Sequence, residues 1–141
     1  MTDIYFVKVA DNKAKLNCIC NTVQGQFDKG NRVLIAVPNN EAAQYIDALL
    51  WRHPEESFLP HTIASGQTRE AIVITTDPKN HNKADVLLNL CAGCSPIAGE
   101  FASIYELHDE SAPGKAELSQ QRAAGYQQLG YAVHLPATEE G

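Results

Sequence analysis

The 141-residue chain has few of the features that mark membrane or secreted proteins. No apolar run approaches the roughly 20 residues that cross a bilayer. The start Met1-Thr2-Asp3-Ile4 lacks the basic and apolar stretches of a signal peptide. We therefore expect a cytoplasmic protein with no membrane partner, whose four cysteines are reduced thiols rather than disulfides.

Basic residues are also scarce. The chain has 11 of them against 17 acidic residues, which gives a net charge of -6 and a pI near 5.2. All but Lys115 and Arg122 lie between Lys8 and Lys83, so the last third of the chain has little positive charge. Direct binding of duplex DNA usually needs a basic face. The charge balance favours protein partners over duplex DNA.

The common catalytic motifs are missing as well. No glycine-rich phosphate loop of the Walker or dinucleotide type is present, and no two histidines have the spacing of metal ligands on one helix turn. Ser57 is followed by Phe58 rather than by the x-Gly of a nucleophile elbow. We expect no intrinsic catalysis and no cofactor.

Two cysteine pairs leave alternatives open. Cys91 and Cys94 have Cys-x-x-Cys spacing, which occurs in redox pairs and in half of a zinc knuckle as well as in ordinary thiols. Cys18 and Cys20 lie two residues apart on a predicted helix, so their side chains diverge by about 200° and do not readily share one ion. Ordinary reduced thiols are favoured, with zinc binding and a small redox protein as the alternatives.

A zinc deaminase is a further reading of the same cysteines. His53-Pro54-Glu55 followed by Cys-x-x-Cys has the order of that motif. The motif also needs a proline before the first cysteine, where this chain has Leu90, and Pro54 disrupts the helix start that should present His53 and Glu55. The sequence therefore disfavours a deaminase.

Strand-like and helix-like patterns alternate along the chain. Apolar residues recur at helical spacing between Leu16 and Phe27, and Gly30 is placed to end that helix. Asn39 and Asn40 are N-cap candidates for the second helix, and residues 55–61 form a turn after it. Helices are predicted at 16–27, 41–51 and 116–129, and strands at 4–9, 32–37, 71–75, 86–90, 101–107 and 131–135.

This alternation predicts an α/β fold with three α/β/α layers around a mainly parallel central sheet of Rossmann-like topology. One domain is expected at residues 1–135, followed by a polar, mobile tail at 136–141. In such folds a ligand-binding crevice often opens at the carboxyl ends of the strands. A ligand-binding module with a crevice near Pro38 and Asn39 is therefore another alternative.

Residues 49–61 read Leu-Leu-Trp-Arg-His-Pro-Glu-Glu-Ser-Phe-Leu-Pro-His and lie between the strand-like runs 31–37 and 84–90. This order and spacing resemble the chi subunit of DNA polymerase III, an accessory protein of the clamp loader. Arg122, Tyr126 and Gly130 on the last helix also stand at matching places, whereas 91–98 does not look typical. The resemblance implies the same three-layer fold and a place in a DNA-directed DNA polymerase holoenzyme. It also implies an adaptor role between the clamp loader, through its psi subunit, and single-stranded DNA-binding protein.

The resemblance implies two sets of partner-binding residues. Trp51, Phe58, Pro60 and His61 would face psi, since large rigid apolar side chains dominate interface energies. The alternative is that Trp51 packs beneath its helix, Phe58 anchors a loop and His61 caps a strand.

The second set would bind the acidic, Phe-ended C-terminal tail of single-stranded DNA-binding protein, and comprises Lys13, Lys15, Lys115, Arg122 and Tyr126. Arg122 would meet carboxylates and Tyr126 would help to form the pocket wall. The last helix departs from the family pattern, because Gln120, Ala124 and Gln127 stand where basic residues are expected. Arg122 as a solvated helix charge is the alternative.

Overall fold

The structure is a computed structural model that describes residues 2–52, 60–64 and 66–136. Within these residues seven strands form a single parallel sheet with the order β3-β4-β2-β5-β6-β1-β7. The elements in chain order are β1 (Asp3–Val9), α1 (Asn12–Asp28), β2 (Val33–Ala36), α2 (Asn40–Arg52), β3 (His61–Ile63), β4 (Ile72–Thr75), β5 (Val86–Asn89), a 3₁₀ turn (Ala98–Glu100), β6 (Ser103–Asp109), α3 (Lys115–Gln128) and β7 (Ala132–His134).

Helices cover both faces of the sheet, which confirms the predicted α/β architecture. α1 and α2 pack on one face over a core that includes Ile35, Ile74 and Leu88. α3 packs on the other face over Leu34, Leu87 and related residues. The central strands β2, β4 and β5 are apolar on both sides, as expected where a parallel strand is buried between two helical layers.

The helix ends follow local chemistry that is readable in the sequence. Asp11 caps α1 by accepting a hydrogen bond from the Ala14 N–H at 2.7 Å, and Asn39 caps α2 through the Ala42 N–H at 2.8 Å. Gly30 has φ +82 and donates its N–H to the Phe27 carbonyl, so α1 ends in a left-handed turn that favours glycine. The first turns of α1, α2 and α3 follow the ends of β1, β2 and β6, and they therefore lie at the carboxyl edge of the sheet.

The prediction was wrong at the end of α2. The sequence predicts a turn that ends at His61, but this residue begins the edge strand β3, which pairs in parallel with β4. A strand of three residues is too short to show an alternating pattern. Residues 53–59 and 137–141 lie outside the described residues, and with them His53, Glu55, Ser57, Phe58 and almost all of the predicted tail. Among the described residues, none of the three α-helices has the length and hydrophobicity of a membrane span.

Candidate functional site

A cavity of about 420 Å³ opens at the carboxyl edge of the sheet. Its walls come from the ends of β2, β5 and β6 and from the first turns of all three helices. Apolar side chains, among them Leu16, Ile46, Leu107 and Leu118, make up much of the lining. Crevices at this position are the usual ligand sites of open parallel sheets, and the volume falls within the range of ligand pockets.

Three cations and one acid lie among the described lining residues of this cavity. The cations are Lys15, Lys115 and Arg122, and the acid is Asp109. Pro38, which marked the predicted crevice, is part of the same wall. The cavity thus combines an apolar wall with a net excess of positive charge, in a chain whose net charge is -6.

Arg122 is held by a buried polar network beneath the cavity. Its Nε donates to Glu106 Oε1 at 2.9 Å, and Glu106 is fully buried. Glu106 Oε2 accepts from the Tyr126 hydroxyl at 2.6 Å and from Asn89 Nδ2 at 2.7 Å. Burial raises the pKa of Glu106, while the hydrogen bonds from Tyr126 and Asn89 and the charge on Arg122 act to lower it.

Most of the other N–H groups of the Arg122 guanidinium also have hydrogen-bond acceptors. Nη2 donates to the Leu107 carbonyl at 2.9 Å and to Ser119 Oγ at 3.3 Å, and Nη1 donates to the Ala92 carbonyl at 3.3 Å. A guanidinium carries five N–H groups. The second N–H of Nη1 has no acceptor among the residues that the structure describes, so Arg122 retains one donor for a ligand.

Asp109 lies close to both lysines of the cavity wall. Lys15 Nζ lies 2.8 Å from Asp109 Oδ2, and Lys115 Nζ lies 3.9 Å from the same oxygen. The Asp109 side chain is only 10% exposed. Burial raises its pKa, but hydrogen bonds from Lys15 and Ser111 and the charge on Lys15 outweigh that effect and lower the pKa to about 2.

The residues predicted to bind an acidic tail are not all in one place. Lys15, Lys115 and Arg122 line the cavity, whereas Lys13 is exposed in the first turn of α1 and is not part of the lining. Tyr126 is fully buried beneath the cavity, where its hydroxyl donates a hydrogen bond to Glu106, and it does not line the wall. The alternative of a solvated Arg122 is wrong, because the residue is only 9% exposed and is paired with Glu106.

Sequence reasoning missed Glu106, Asn89 and Asp109. Asn89 and Glu106 are register partners on β5 and β6. Each stands two positions after an apolar residue on the sheet face that α3 covers, and so points toward the same face. Such polar side chains at inward-facing strand positions are a readable signal, because a buried charge needs a partner. The partner's identity is not readable, since Arg122 lies 16 residues away in sequence.

The other predicted cluster lies at the opposite end of α2. Trp51 is 54% exposed in the last turn, and its ring lies against His61 with a centroid distance of 4.5 Å. His61 is buried, and its Nε2 lies 3.2 Å from both the carbonyl and Oδ1 of Asp47. Pro60 is partly buried beside it, and Phe58 falls outside the described residues. Trp51 therefore does not pack beneath its helix.

Cys91 and Cys94 lie in the loop after β5. Cys91 borders the large cavity and a second one of about 90 Å³, which Cys94 also lines. Burial and the charge of Glu106 raise the pKa of both thiols, so thiolate forms less readily than on a free cysteine. The described residues contain no group of three or more His, Cys, Asp and Glu side chains suited to a metal ion.

The chain is similar in sequence to proteins of one known family. The family model described as "DNA polymerase III chi subunit, HolC" matches residues 1–134. Similar proteins named DNA polymerase III subunit chi include one from Pseudomonas aeruginosa, 23% identical over 92% of this chain and 90% of its own length. Those from Escherichia coli and Haemophilus influenzae are 25% and 26% identical over 80% and 78% of this chain, covering 78% and 76% of their own lengths. The chain belongs to the DNA polymerase III chi subunit family.

Proposed function

We propose that this protein is a non-catalytic adaptor that binds the acidic, Phe-ended tail of single-stranded DNA-binding protein in the cavity and psi through the surface around Trp51. Family membership supports an accessory role in the replisome. The observation that carries the proposal is the meeting of an apolar wall with Lys15, Lys115 and Arg122 in one cavity.

The cavity chemistry suits a peptide that ends in phenylalanine. Leu16, Ile46 and Leu118 provide apolar surface for a terminal ring, and burying such a ring contributes about 1.5–3 kcal/mol. The unpaired N–H of Arg122 and the two lysines are donors for the terminal carboxylate and for neighbouring acidic residues. Lys13, exposed in the first turn of α1, adds charge near the rim in this proposal. Tyr126 contributes by holding the Glu106 end of the network.

The psi site is proposed from exposure and rigidity. Trp51 is largely exposed, yet its ring is packed against a buried His61, so binding would order few new rotamers. Pro60 immediately precedes the neighbouring edge strand β3. Phe58 lies outside the described residues and is included in the proposed site only from the sequence. Ile63, 43% exposed on β3, extends the apolar area. Partly rigid aromatic anchors of this kind are typical centres of protein interfaces.

The two surfaces lie at opposite ends of α2. Ala42 lines the cavity and Trp51 stands nine residues later, which corresponds to roughly 14 Å along the helix axis. This separation supports the proposal that one chain binds both partners at once, as an adaptor requires.

Titration of a fluorescent acidic peptide with a free C-terminal Phe into the full chain tests the tail-binding half. The matched control is the same peptide without its Phe. We expect salt-sensitive binding that depends on the Phe, because screening weakens contacts between exposed charges. Equal binding of both peptides, or none, would contradict the proposal. A thermal shift with mononucleotides but not with peptide would favour a ligand-binding module in the same crevice.

A further inference from the structure

We propose that Asp109 is an internal counter-ion that competes with acidic ligands for Lys15 and Lys115 and so weakens their binding. The inference rests on the proposed function of the cavity, and it assigns Asp109 a part in setting affinity. Asp109 is the one acid among the described lining residues, and it lies between the two lysines that an incoming carboxylate would need.

The two oxygens of Asp109 have separate partners. Oδ1 accepts from the backbone N–H of Ser111 at 2.9 Å and from its hydroxyl at 2.5 Å. Oδ2 faces Lys15 and Lys115. The backbone N–H of Asp109 donates to Ser119 Oγ at 3.0 Å. The carboxylate is thus fixed by the chain around it, whereas the lysines meet it at the ends of flexible side chains.

This division makes the lysines, and not the acid, the movable partners. Lys115 is 46% exposed at its side chain and Lys15 is 24% exposed, so both ammonium groups have room to turn toward a ligand. Glu106 differs, because it is fully buried and also accepts from Tyr126 and Asn89. Ligand binding is therefore expected to leave the Arg122–Glu106 ion pair intact and to separate Asp109 from Lys15 and Lys115.

Binding an acidic ligand at this position brings its carboxylate close to Asp109. The approach of two negative charges is unfavourable, and each lysine shared with Asp109 is less available to the ligand. An amide at the same position would keep an oxygen for Ser111 and turn its NH₂ toward the lysines, since a side-chain amide has one acceptor end and one donor end. Asp109→Asn therefore removes the competition and preserves the turn.

Affinity for the Phe-ended acidic peptide is the quantity to compare between wild type, Asp109→Asn and Asp28→Asn. Asp28 is exposed at the far end of α1, so its substitution matches the change in net charge away from the cavity. We expect Asp109→Asn to bind about three- to tenfold more tightly, with steeper salt dependence, because one nearby repulsive charge is removed. Asp28→Asn should remain within about twofold of wild type, since its charge is screened over that distance.

Circular dichroism and thermal unfolding of each variant, at a temperature where all are folded, establish that the comparison concerns native protein. Unchanged or weaker binding by Asp109→Asn, with wild type binding the peptide, would overturn the role of Asp109 and leave the proposed function standing. Equal tightening by both variants would also overturn it, because net charge alone would then explain the effect. Absence of binding by all three proteins would overturn both proposals.

Discussion

Arg122 Nε and Glu106 Oε1 meet at 2.9 Å beneath the cavity, and the Glu106 side chain is fully buried. The pair belongs both to the packing of α3 on the sheet and to the cavity wall, since Arg122 lines the cavity. From the sequence alone, Arg122 reads as a surface charge of the last helix. Its ion pair with Glu106 fixes it in place. The network explains how Arg122, one of the two basic residues of α3, is held at the site.

Removing Glu106 should be strongly destabilising. Glu106→Ala leaves the Arg122 charge buried without its partner, and such losses cost about 3–5 kcal/mol. Replacing both residues by Glu106→Leu and Arg122→Met should cost less than Glu106→Ala, because no uncompensated charge stays buried. Some cost remains, since the Tyr126 hydroxyl and the Asn89 amide lose their acceptor. Urea unfolding of the single and double variants measures the difference in the free energy of unfolding. A double variant no more stable than Glu106→Ala would contradict this account.

Asp109 should make stability depend on acidic pH. Its pKa falls from 3.8 to about 2 on folding, so the unfolded chain binds the proton more tightly. The stabilisation, about 2 kcal/mol, is complete above about pH 4 and is lost as the pH falls toward about 2. Lys15→Met removes the main charged partner, so the stability difference between wild type and this variant should shrink over that interval. Denaturant unfolding across the pH range would reveal it, and a constant difference would count against the pairing.

The exposed rim of the cavity should matter for the tail more than for the fold. Leu118 is 44% exposed and lines the cavity, so Leu118→Ala should weaken peptide binding about three- to tenfold with little change in stability. Leu129, 68% exposed at the other end of α3, provides the matched control Leu129→Ala. Anisotropy titrations of both variants distinguish a specific wall from general surface hydrophobicity. Equal losses in the two would argue against the cavity as the site.

Trp51 should carry much of the psi interaction. Trp51→Ala removes the exposed ring, and hot-spot tryptophans at interfaces contribute about 2 kcal/mol or more, which corresponds to at least tenfold in affinity. Leu135, 59% exposed near the opposite edge of the sheet, supplies the control variant Leu135→Ala. Calorimetric titration with psi, after the fold is checked by circular dichroism, provides the comparison. Retained psi affinity in Trp51→Ala would remove the basis for this surface.

Local chemistry explains why the order of elements was predictable. Apolar spacing in α1, the Asn39 cap and the left-handed Gly30 all depend on residues close together in sequence. The strand β3 escaped prediction because its three residues depend on pairing with β4.

The site was less predictable, because its contacts join distant parts of the chain. Lys15 and Asp109 are 94 residues apart in sequence, and Arg122 finds Glu106 only when α3 packs on β6. Residue type indicated which side chains carry charge, but not which charges are already paired. The cavity itself arises where three helix starts converge, and no single segment encodes it.

Simultaneous binding tests the adaptor account most directly. The affinity of the Phe-ended acidic peptide for the full chain should be measured with and without saturating psi, together with the mass of the complex by sedimentation. The account predicts affinities that agree within about twofold, as expected for distant sites without shared contacts, and a complex with one copy of each component. Displacement of the peptide by psi would contradict the placement of two independent surfaces at the ends of α2.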